Sequence, residues 1–458
     1  MYIRRLKIEN LRSLRSVSLD LNVPQEAKLQ CPNVNVMLGG NGLGKTSVLR
    51  AAVLSTLGPL LSSSSGYVPE SLIRRPPGMK STSQASLDKL PPAVIEADIV
   101  LAAGELPTYA KSLAKTKGLL MRTTITSLGT SERLKWECEP GSVHGPLERL
   151  QFDERAAAFF VVAYGATRRV EASTRVDESA RVKSRLRRYE RVSSLFEDHL
   201  GLIPLSYWLP NYAERNKGRY TQVVHLMNDL LPEACRMMPT AAKTPNGTEH
   251  LFEMNGVSLP FRALSDGYRA YIGWIGDMLF HVCMGAGTGV KLREMEGVVL
   301  LDEIDLHLHP EWQRVVVPTL AKILPNVQFI VTTHSPLVVG SLEAGNLFVL
   351  AEEDGSTVIK RLPERVHGRS AEQILLSPYF GLDSTRAPEV SKELSQLAKS
   401  AVEGDASASM KYLELLSNGL PKSEFPDTGE QRPRRAATSS KAPAKRAAPR
   451  RKAVLTSK

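Results

Sequence analysis

The chain is short of several features that settle a protein's class at once. It has four cysteines in 458 residues, Cys31, Cys138, Cys235 and Cys283, and no CxxC pair among them. That scatter excludes a disulfide framework and a structural zinc site, and leaves buried, inert thiols as the expected role. Apolar runs are short: none approaches the roughly 20 residues a membrane helix needs. The opening MYIRRLKIEN alternates apolar and polar residues as a strand does, and lacks the apolar stretch of a signal peptide. A cytoplasmic protein with no membrane partner is therefore expected. No heptad pattern is sustained between Lys45 and Asp302, so a long coiled coil is excluded. Acidic residues are missing from the end of the chain, where residues 431–458 hold ten Lys or Arg and no Asp or Glu. Without those ten the net charge of +11 falls to about +1, so the basicity belongs to the tail and says little about the folded body.

What is present is a chain with 42% apolar residues, enough for a sizeable core in one large or two modest domains. Strand patterns occur at 2–9, 15–21, 34–38, 94–102, 119–126, 133–138, 157–165, 298–302 and 327–333, and a strand ends near 257–264. Helical patterns start near Gly44 and cover 266–284 and 310–323, with parts of 192–245 and a smaller region at about 363–420. Alternating strands and helices predict an α/β sheet with covering helices. Residues 61–92 are rich in Ser and Pro and read as an insertion. Residues 168–191 carry nine basic and four acidic residues, and read either as a solvated helix or loop or as a contact for nucleic acid. Residues 422–458 have almost nothing to bury and are expected to be disordered.

The chemistry begins at VMLGGNGLGKTS, where Gly39, Gly44, Lys45 and Thr46 have the P-loop spacing between an apolar strand and a helix start. The loop Gly39, Gly40, Asn41, Gly42, Leu43, Gly44 lets successive N–H groups face phosphate oxygens, and the helix start at Lys45, Thr46 and Ser47 adds its positive dipole end. Lys45 is expected to reach the β- and γ-phosphates of ATP and the Thr46 hydroxyl to ligate Mg2+. GVVLLDEIDLHLHP then runs four apolar residues into Asp302 and Glu303. An ordinary capped strand end is the commoner origin of such a pair, but beside a P-loop Asp302 is a metal ligand and Glu303 a base for the attacking water. FIVTTHSP places His334 at the end of another apolar strand, within reach of a γ-phosphate or that water. LSDGYR offers Ser265 and Gly267 at the start of a long helix, where plain N-capping by Ser265 or Asp266 is the simpler reading of the motif alone.

Together the P-loop, LSDGYR, LLDEID with LHLHP, and TTHSP resemble the ABC-type ATPases, specifically the branch with the RecF, Rad50/SMC and OLD families, over roughly residues 1–350. The resemblance implies a P-loop ABC-type ATPase head of α/β class: a mixed sheet at 1–362 with insertions at 61–92 and 168–250, a C-terminal helical region at 363–421 and a basic tail. It implies ATP and Mg2+ as ligands and a homodimer or higher oligomer in which two heads sandwich ATP. Lys45, Thr46, Asp302, Glu303 and His334 then act from one copy, and Ser265 and Gly267 from the other. Asp305 matches the stretch that communicates across that interface. Asn10, Leu11, Arg12 and Ser13 match an N-terminal element close to the nucleotide, which makes Arg12 a nucleotide-side residue. The signature departs from LSGGQ at Asp266 and Tyr268, and no glutamine-loop residue is placed, Gln84 lying in an irregular segment. LFVLAEEDGST reads as a hairpin turn at Glu352, Glu353 and Asp354, so no nuclease is expected in the chain. YGATRR and HGRSAEQILLSPYFGLDSTR resemble the standalone ATPases of Septu-type and retron-associated anti-phage systems, which implies a regulator working with a separate HNH nuclease. The alternative is a RecF-like repair ATPase that binds DNA directly through 168–191 and the tail.

Overall fold

In the computed structural model, residues 1–63, 67–76, 79, 88–101, 106–116, 118–128, 131–168, 187–197, 201–244, 247–287 and 289–417 are described. The continuous apolar runs are the strands of one mostly parallel sheet. From edge to edge it comprises β14 (Ser356–Lys360), β13 (Leu347–Glu353), β3 (Val34–Gly39), β12 (Val327–Thr332), β11 (Gly297–Leu301) and β7 (Val161–Tyr164). All neighbours are parallel except β13 and β14, which form a hairpin turning at Asp354 and Gly355, both at positive φ. The strands read as unbroken apolar stretches because both faces are covered. Val34, Val36, Leu38, Val299 and Leu301 enter one core, whereas Met37, Val298 and Leu300 enter the other. This is the period of two expected of a strand.

The second core lies between this sheet and a five-stranded antiparallel sheet, with α1 (Lys45–Thr56) between them. That sheet runs β2 (Leu14–Asp20), β1 (Tyr2–Leu11), β4 (Ala93–Val100), β5 (Leu119–Leu128), β6 (Ser131–Glu139). In β4, Ala93, Ile95, Ala97 and Ile99 turn inward, while Glu96 pairs outside with Lys7 and Arg122. Such exposed pairs contribute little, and the inward face holds the sheet. Buried amides join the two sheets. The Ile3 N–H donates to Gln328 Oε1 at 2.9 Å, and Gln328 Nε2 donates to the carbonyls of Ile3 and Asn22 at 2.7 and 2.9 Å. The Asn22 N–H donates to Asn35 Oδ1 at 2.7 Å, and Asn35 Nδ2 returns a bond to the Asn22 carbonyl at 3.0 Å. Each of these groups would cost about 1–3 kcal/mol if stranded without its partner.

The first core is closed by helices. After α2 (Gly58–Ser63), α3 (His144–Phe152) and α4 (Arg187–Ser193), the chain forms α5 (Leu205–Arg215), α6 (Lys217–Leu230) and α7 (Asp266–Gly285). Leu209, Val223, Met227, Ile275 and Leu279 from these last three fill this core. Deep within it the Asp277 carboxylate accepts from the Tyr164 hydroxyl at 2.7 Å and the Ile203 N–H at 2.7 Å, and faces His281 at 3.3 Å. All four cysteines are buried and unpaired. Among the described residues no helix is long and apolar enough to cross a membrane.

Several expectations are corrected. The apolar run at 157–165 supplies a strand only at Val161–Tyr164. The strand ending near 257–264 is there as β10 (Val257–Pro260), but it is joined by two strands the sequence did not announce, β8 (Cys235–Thr244) and β9 (Gly247–Met254), in an antiparallel sheet of their own. The helix expected at 310–323 is two, α8 (Pro310–Gln313) and α9 (Val316–Ile323). Pro318 lacks an N–H and its ring would meet the Arg314 carbonyl one turn back, so an unbroken helix is barred and Pro318 sits in the first turn of a new one. The basic stretch is not all solvated. Arg188 and Arg191 are buried, and Arg188 donates to the carbonyls of Asp153, Phe159 and Ala156, the last at 2.9 Å, where the chain enters β7. Burial, then repulsion from Arg191, brings the Arg188 guanidinium down to about 9. Residues 169–186 of that stretch, Gln84 and the basic tail lie outside the described residues.

Beyond α10 (Pro336–Gly340) and α11 (Ala371–Leu375) the chain divides after Thr385, whereas the sequence puts that boundary near 362. The second unit contains α12 (Pro388–Val402) and α13 (Ala406–Ser417), which pack on each other.

Candidate nucleotide site

Gly39 ends β3 where β13 runs alongside, and a Cβ there would lie 2.5 Å from the Leu350 carbonyl oxygen. The loop then leaves the sheet, with Gly40, Asn41 and Gly42 exposed and Leu43 half-buried. Gly44 turns it into α1 at a φ of 95°. A Cβ on Gly44 would come within 2.6 Å of Ser13 Oγ and 3.0 Å of Leu14 Cδ2. The element holding Arg12 and Ser13 is thus pressed against the P-loop. The Arg12 guanidinium donates to the Ser71 carbonyl at 3.3 Å, and burial followed by the like charge of Arg50 lowers its pKa. The first turn of α1 carries no acidic residue and no side-chain cap, which leaves its N–H groups and dipole open to an anion. Ser47 is buried in that same turn.

Lys45 is buried and curls back over the loop, donating to the carbonyls of Gly39 at 2.9 Å and Gly40 at 3.0 Å. Burial lowers its pKa, while Asp302, Glu303 and Asp305 act in the opposite sense. The Thr46 hydroxyl donates to Asp302 Oδ2 at 2.7 Å. The Thr332 hydroxyl, from the end of β12, donates to Asp302 Oδ1 at 2.6 Å. A buried carboxylate is so held between two hydroxyls beside the helix start. Thr46 and Asp302 bring two hard oxygens together, the donor type Mg2+ accepts when phosphate and water complete its octahedron. The donor set fits that ion.

One residue on, Glu303 takes a left-handed φ of 48°, a conformation that a non-glycine residue keeps only when its surroundings hold it. Its N–H donates to the Thr332 hydroxyl at 2.7 Å. Its carbonyl accepts from Arg168 at 2.7 Å, and the same guanidinium donates to the Asp302 carbonyl at 3.1 Å. Burial brings Arg168 down to about 10, opposed by Asp302, Asp305 and Glu303, so it stays charged near neutral pH. The turn that follows is tied to the strand carrying His334. Asp305 accepts from the Thr333 hydroxyl and the His334 N–H. Gln313 donates to the Leu308 carbonyl at 2.9 Å and accepts from Ser335 at 2.6 Å, and Ser335 caps α10. His334 itself is exposed at this corner.

Lys45, Thr46, Asp302 and Glu303 are therefore brought to one place, with His334 tied in through Asp305. Ser265 and Gly267 are not part of it. Ser265 is the N-cap position of α7, and among the described residues neither bonds to the P-loop. A Cβ on Gly267 would lie 3.2 Å from the His307 carbonyl, so α7 starts beside the turn that follows Glu303. A cavity of about 370 Å3 there is lined by Arg168, Arg262, Asp266, Arg269 and His307, among others. Sequence reasoning missed Thr332, Gln313 and above all Arg168. The threonine pair before His334 was a usable signal, whereas Arg168 was absorbed into a charge run.

A family model described as an AAA domain, putative AbiEii toxin, Type IV TA system, matches residues 152–340. The Septu protein PtuA of Bacillus thuringiensis is 33% identical over 145 residues, 31% of this chain and 37% of that protein. The Retron Ec83 probable ATPase of Escherichia coli is 33% identical over 162 residues, 35% of this chain and 29% of that protein. The chain thus spans well under half the length of these relatives. Among solved structures, an SMC head bound to the C-winged helix domain of ScpA overlaps with a TM-score of 0.43 and 16% identity, covering 79% of this chain and 98% of that one. The chain carries the motifs of an ABC-type ATPase, and in sequence it is similar to the Septu protein PtuA and to the retron probable ATPase.

Proposed function

We propose that the chain binds ATP with Mg2+ and hydrolyses it, and that this cycle is a switch in an anti-phage system that governs a separate nuclease. The observation that carries the reading is the Asp302 carboxylate, gripped by Thr46 at 2.7 Å and Thr332 at 2.6 Å beside the start of α1. Lys45 and the loop amides hold the phosphates. Thr46 and Asp302 hold the metal, whose charge offsets that of the β- and γ-phosphates. Glu303 takes the proton of the attacking water, and His334 bonds the γ-phosphate or that water. A second copy supplies Ser265 and Gly267 at the N-terminus of its α7, so that two molecules enclose two nucleotides. Arg12, from the element beside Gly44, is a nucleotide-side residue in this reading. The partner in this reading is a nuclease of HNH type, which only the sequence resemblance implies.

The test is Glu303→Gln. The variant binds ATP and accumulates as an ATP-bound dimer or larger assembly in native mass spectra, with phosphate release slowed about 100-fold or more. Hydrolysis at the wild-type rate refutes the assignment of the base. An unchanged mass with and without ATP refutes the sandwich.

A further inference from the structure

We infer that Arg168 is a positioning residue for hydrolysis: it clamps the backbone that carries the catalytic carboxylate. This rests on the function proposed above and gives a role to Arg168, which the sequence places in YGATRR and in a basic stretch without assigning it one.

The guanidinium is a planar fork, and here its two terminal nitrogens take the consecutive carbonyls of Asp302 and Glu303, at 3.1 and 2.7 Å. Glu303 has left-handed φ, so the peptide groups on its two sides do not continue the strand. Two contacts hold that conformation from opposite ends: Thr332 takes the Glu303 N–H and Arg168 takes its carbonyl. The first also binds the Asp302 carboxylate, which makes it part of the metal site. The second comes from just past β7, the strand paired with β11, whose last bond is the Asp302 N–H to the Tyr164 carbonyl at 2.9 Å. Arg168 is thus four residues from a fixed point, and reaches the turn without ion-pairing to it. A surface arginine would take a carboxylate, and three lie close enough to act on its charge, yet its two bonds go to carbonyl oxygens. Lysine cannot copy this, because a single ammonium lacks the spread to hold two carbonyls in fixed geometry.

Arg168 also lines the cavity at the start of α7 together with Arg262, Asp266, Arg269 and His307. One side chain therefore touches the Glu303 backbone and the wall of the surface that opens α7. A displacement of Glu303 by about 1 Å is enough to cost roughly 100-fold in rate.

The experiment measures ATP hydrolysis and Mg2+–ATP affinity for wild type, Arg168→Lys, Arg168→Ala, Glu303→Gln and the Arg168→Ala/Glu303→Gln pair, with the unfolding midpoint of each. The expected result is a fall in kcat of about 10–100-fold for both Arg168 variants, with ATP affinity within about threefold of wild type. The double variant is no slower than Glu303→Gln, because Arg168 acts through that residue. Arg168→Lys is the variant that guards against simple unfolding, since it keeps the charge and most of the packing. A wild-type kcat in Arg168→Lys overturns the proposal, as does a loss lying wholly in KM or a double variant slower by the product of the two single effects. A wild type that does not hydrolyse ATP at all overturns the proposed function as well, which separates that failure from this one.

Discussion

Replacing Gly44 by alanine tests whether the N-terminal sheet presses on the P-loop. Two glycines of the loop share a left-handed backbone but differ in surroundings. Gly42 has a φ of 81° and open space within 4 Å of where a methyl would stand, whereas Gly44 has a φ of 95° with Ser13 Oγ at 2.6 Å and Leu14 Cδ2 at 3.0 Å. Both changes force an L-residue into the left-handed region, which costs about 1–2 kcal/mol. Gly44→Ala must also displace Leu14, which is fully buried, and overpacking of that kind costs about 1–3 kcal/mol more. The totals are about 2–5 kcal/mol for Gly44→Ala and about 1–2 kcal/mol for Gly42→Ala. In a unit of this size each kcal/mol lowers Tm by roughly 2 °C. Scanning calorimetry then gives Gly44→Ala the larger drop, and adding Ser13→Gly recovers part of it by removing the nearer clash. ATP titration shows a heavier loss for Gly44→Ala than its stability explains, because the first N–H groups of α1 are turned away from the phosphates. A Gly44→Ala protein as stable as Gly42→Ala refutes the reasoning: β1 and β2 would then be bystanders to the loop.

Other outcomes follow from the same geometry. Lys45→Ala abolishes ATP binding in titration calorimetry. Asp302→Asn keeps a hydrogen-bonding group between Thr46 and Thr332 but removes the charge, so Mg2+ no longer raises ATP affinity in the same assay. Burial alone would raise the Asp277 pKa, yet His281, the Tyr164 hydroxyl and the Ile203 N–H together hold it below its ordinary 3.8. With the folded value the lower one, its contribution is complete above about pH 4 and is lost as pH falls through the folded value. Asp277→Asn accordingly destabilises by about 3–5 kcal/mol at neutral pH in urea melts, and that deficit shrinks toward acid. Deleting 431–458 removes ten basic residues, so salt-dependent retention on a polyanion column collapses.

The clustering of Lys45, Thr46 and Asp302 was legible because the chemistry proposed for them demands a pattern: glycines where a methyl will not go, an apolar strand ending in acid. The turn at Asp354–Gly355 was legible for a similar reason, since Asp-Gly favours the tight hairpin. What escaped has physical causes. β8 is an edge strand with Pro239 in it and a register shift between Met237 and Ala241, so it shows no alternation. The helix break before Val316 needed the proline's partner carbonyl, not just its presence, to be considered. The basic stretch misled because charge density does not reveal which arginines find carbonyls inside: Arg168 and Arg188 spend their donors on buried backbone. The trans role expected of Ser265 and Gly267 came from the resemblance and concerns a second molecule, so the geometry of one chain does not bear on it.

The amide lacing of Ile3, Asn22, Asn35 and Gln328 has a mechanical meaning. It stitches β1 to β3 and β12, the floor of the candidate nucleotide site, and so resists sliding of one sheet over the other. Under the proposed ATP cycle, a movement within this unit would fall to the opposite side, among α7, the small sheet before it and the loop ends that Arg168 bridges. In that cycle the N-terminal block would be the anvil, and the layer that opens with Ser265 the part that travels.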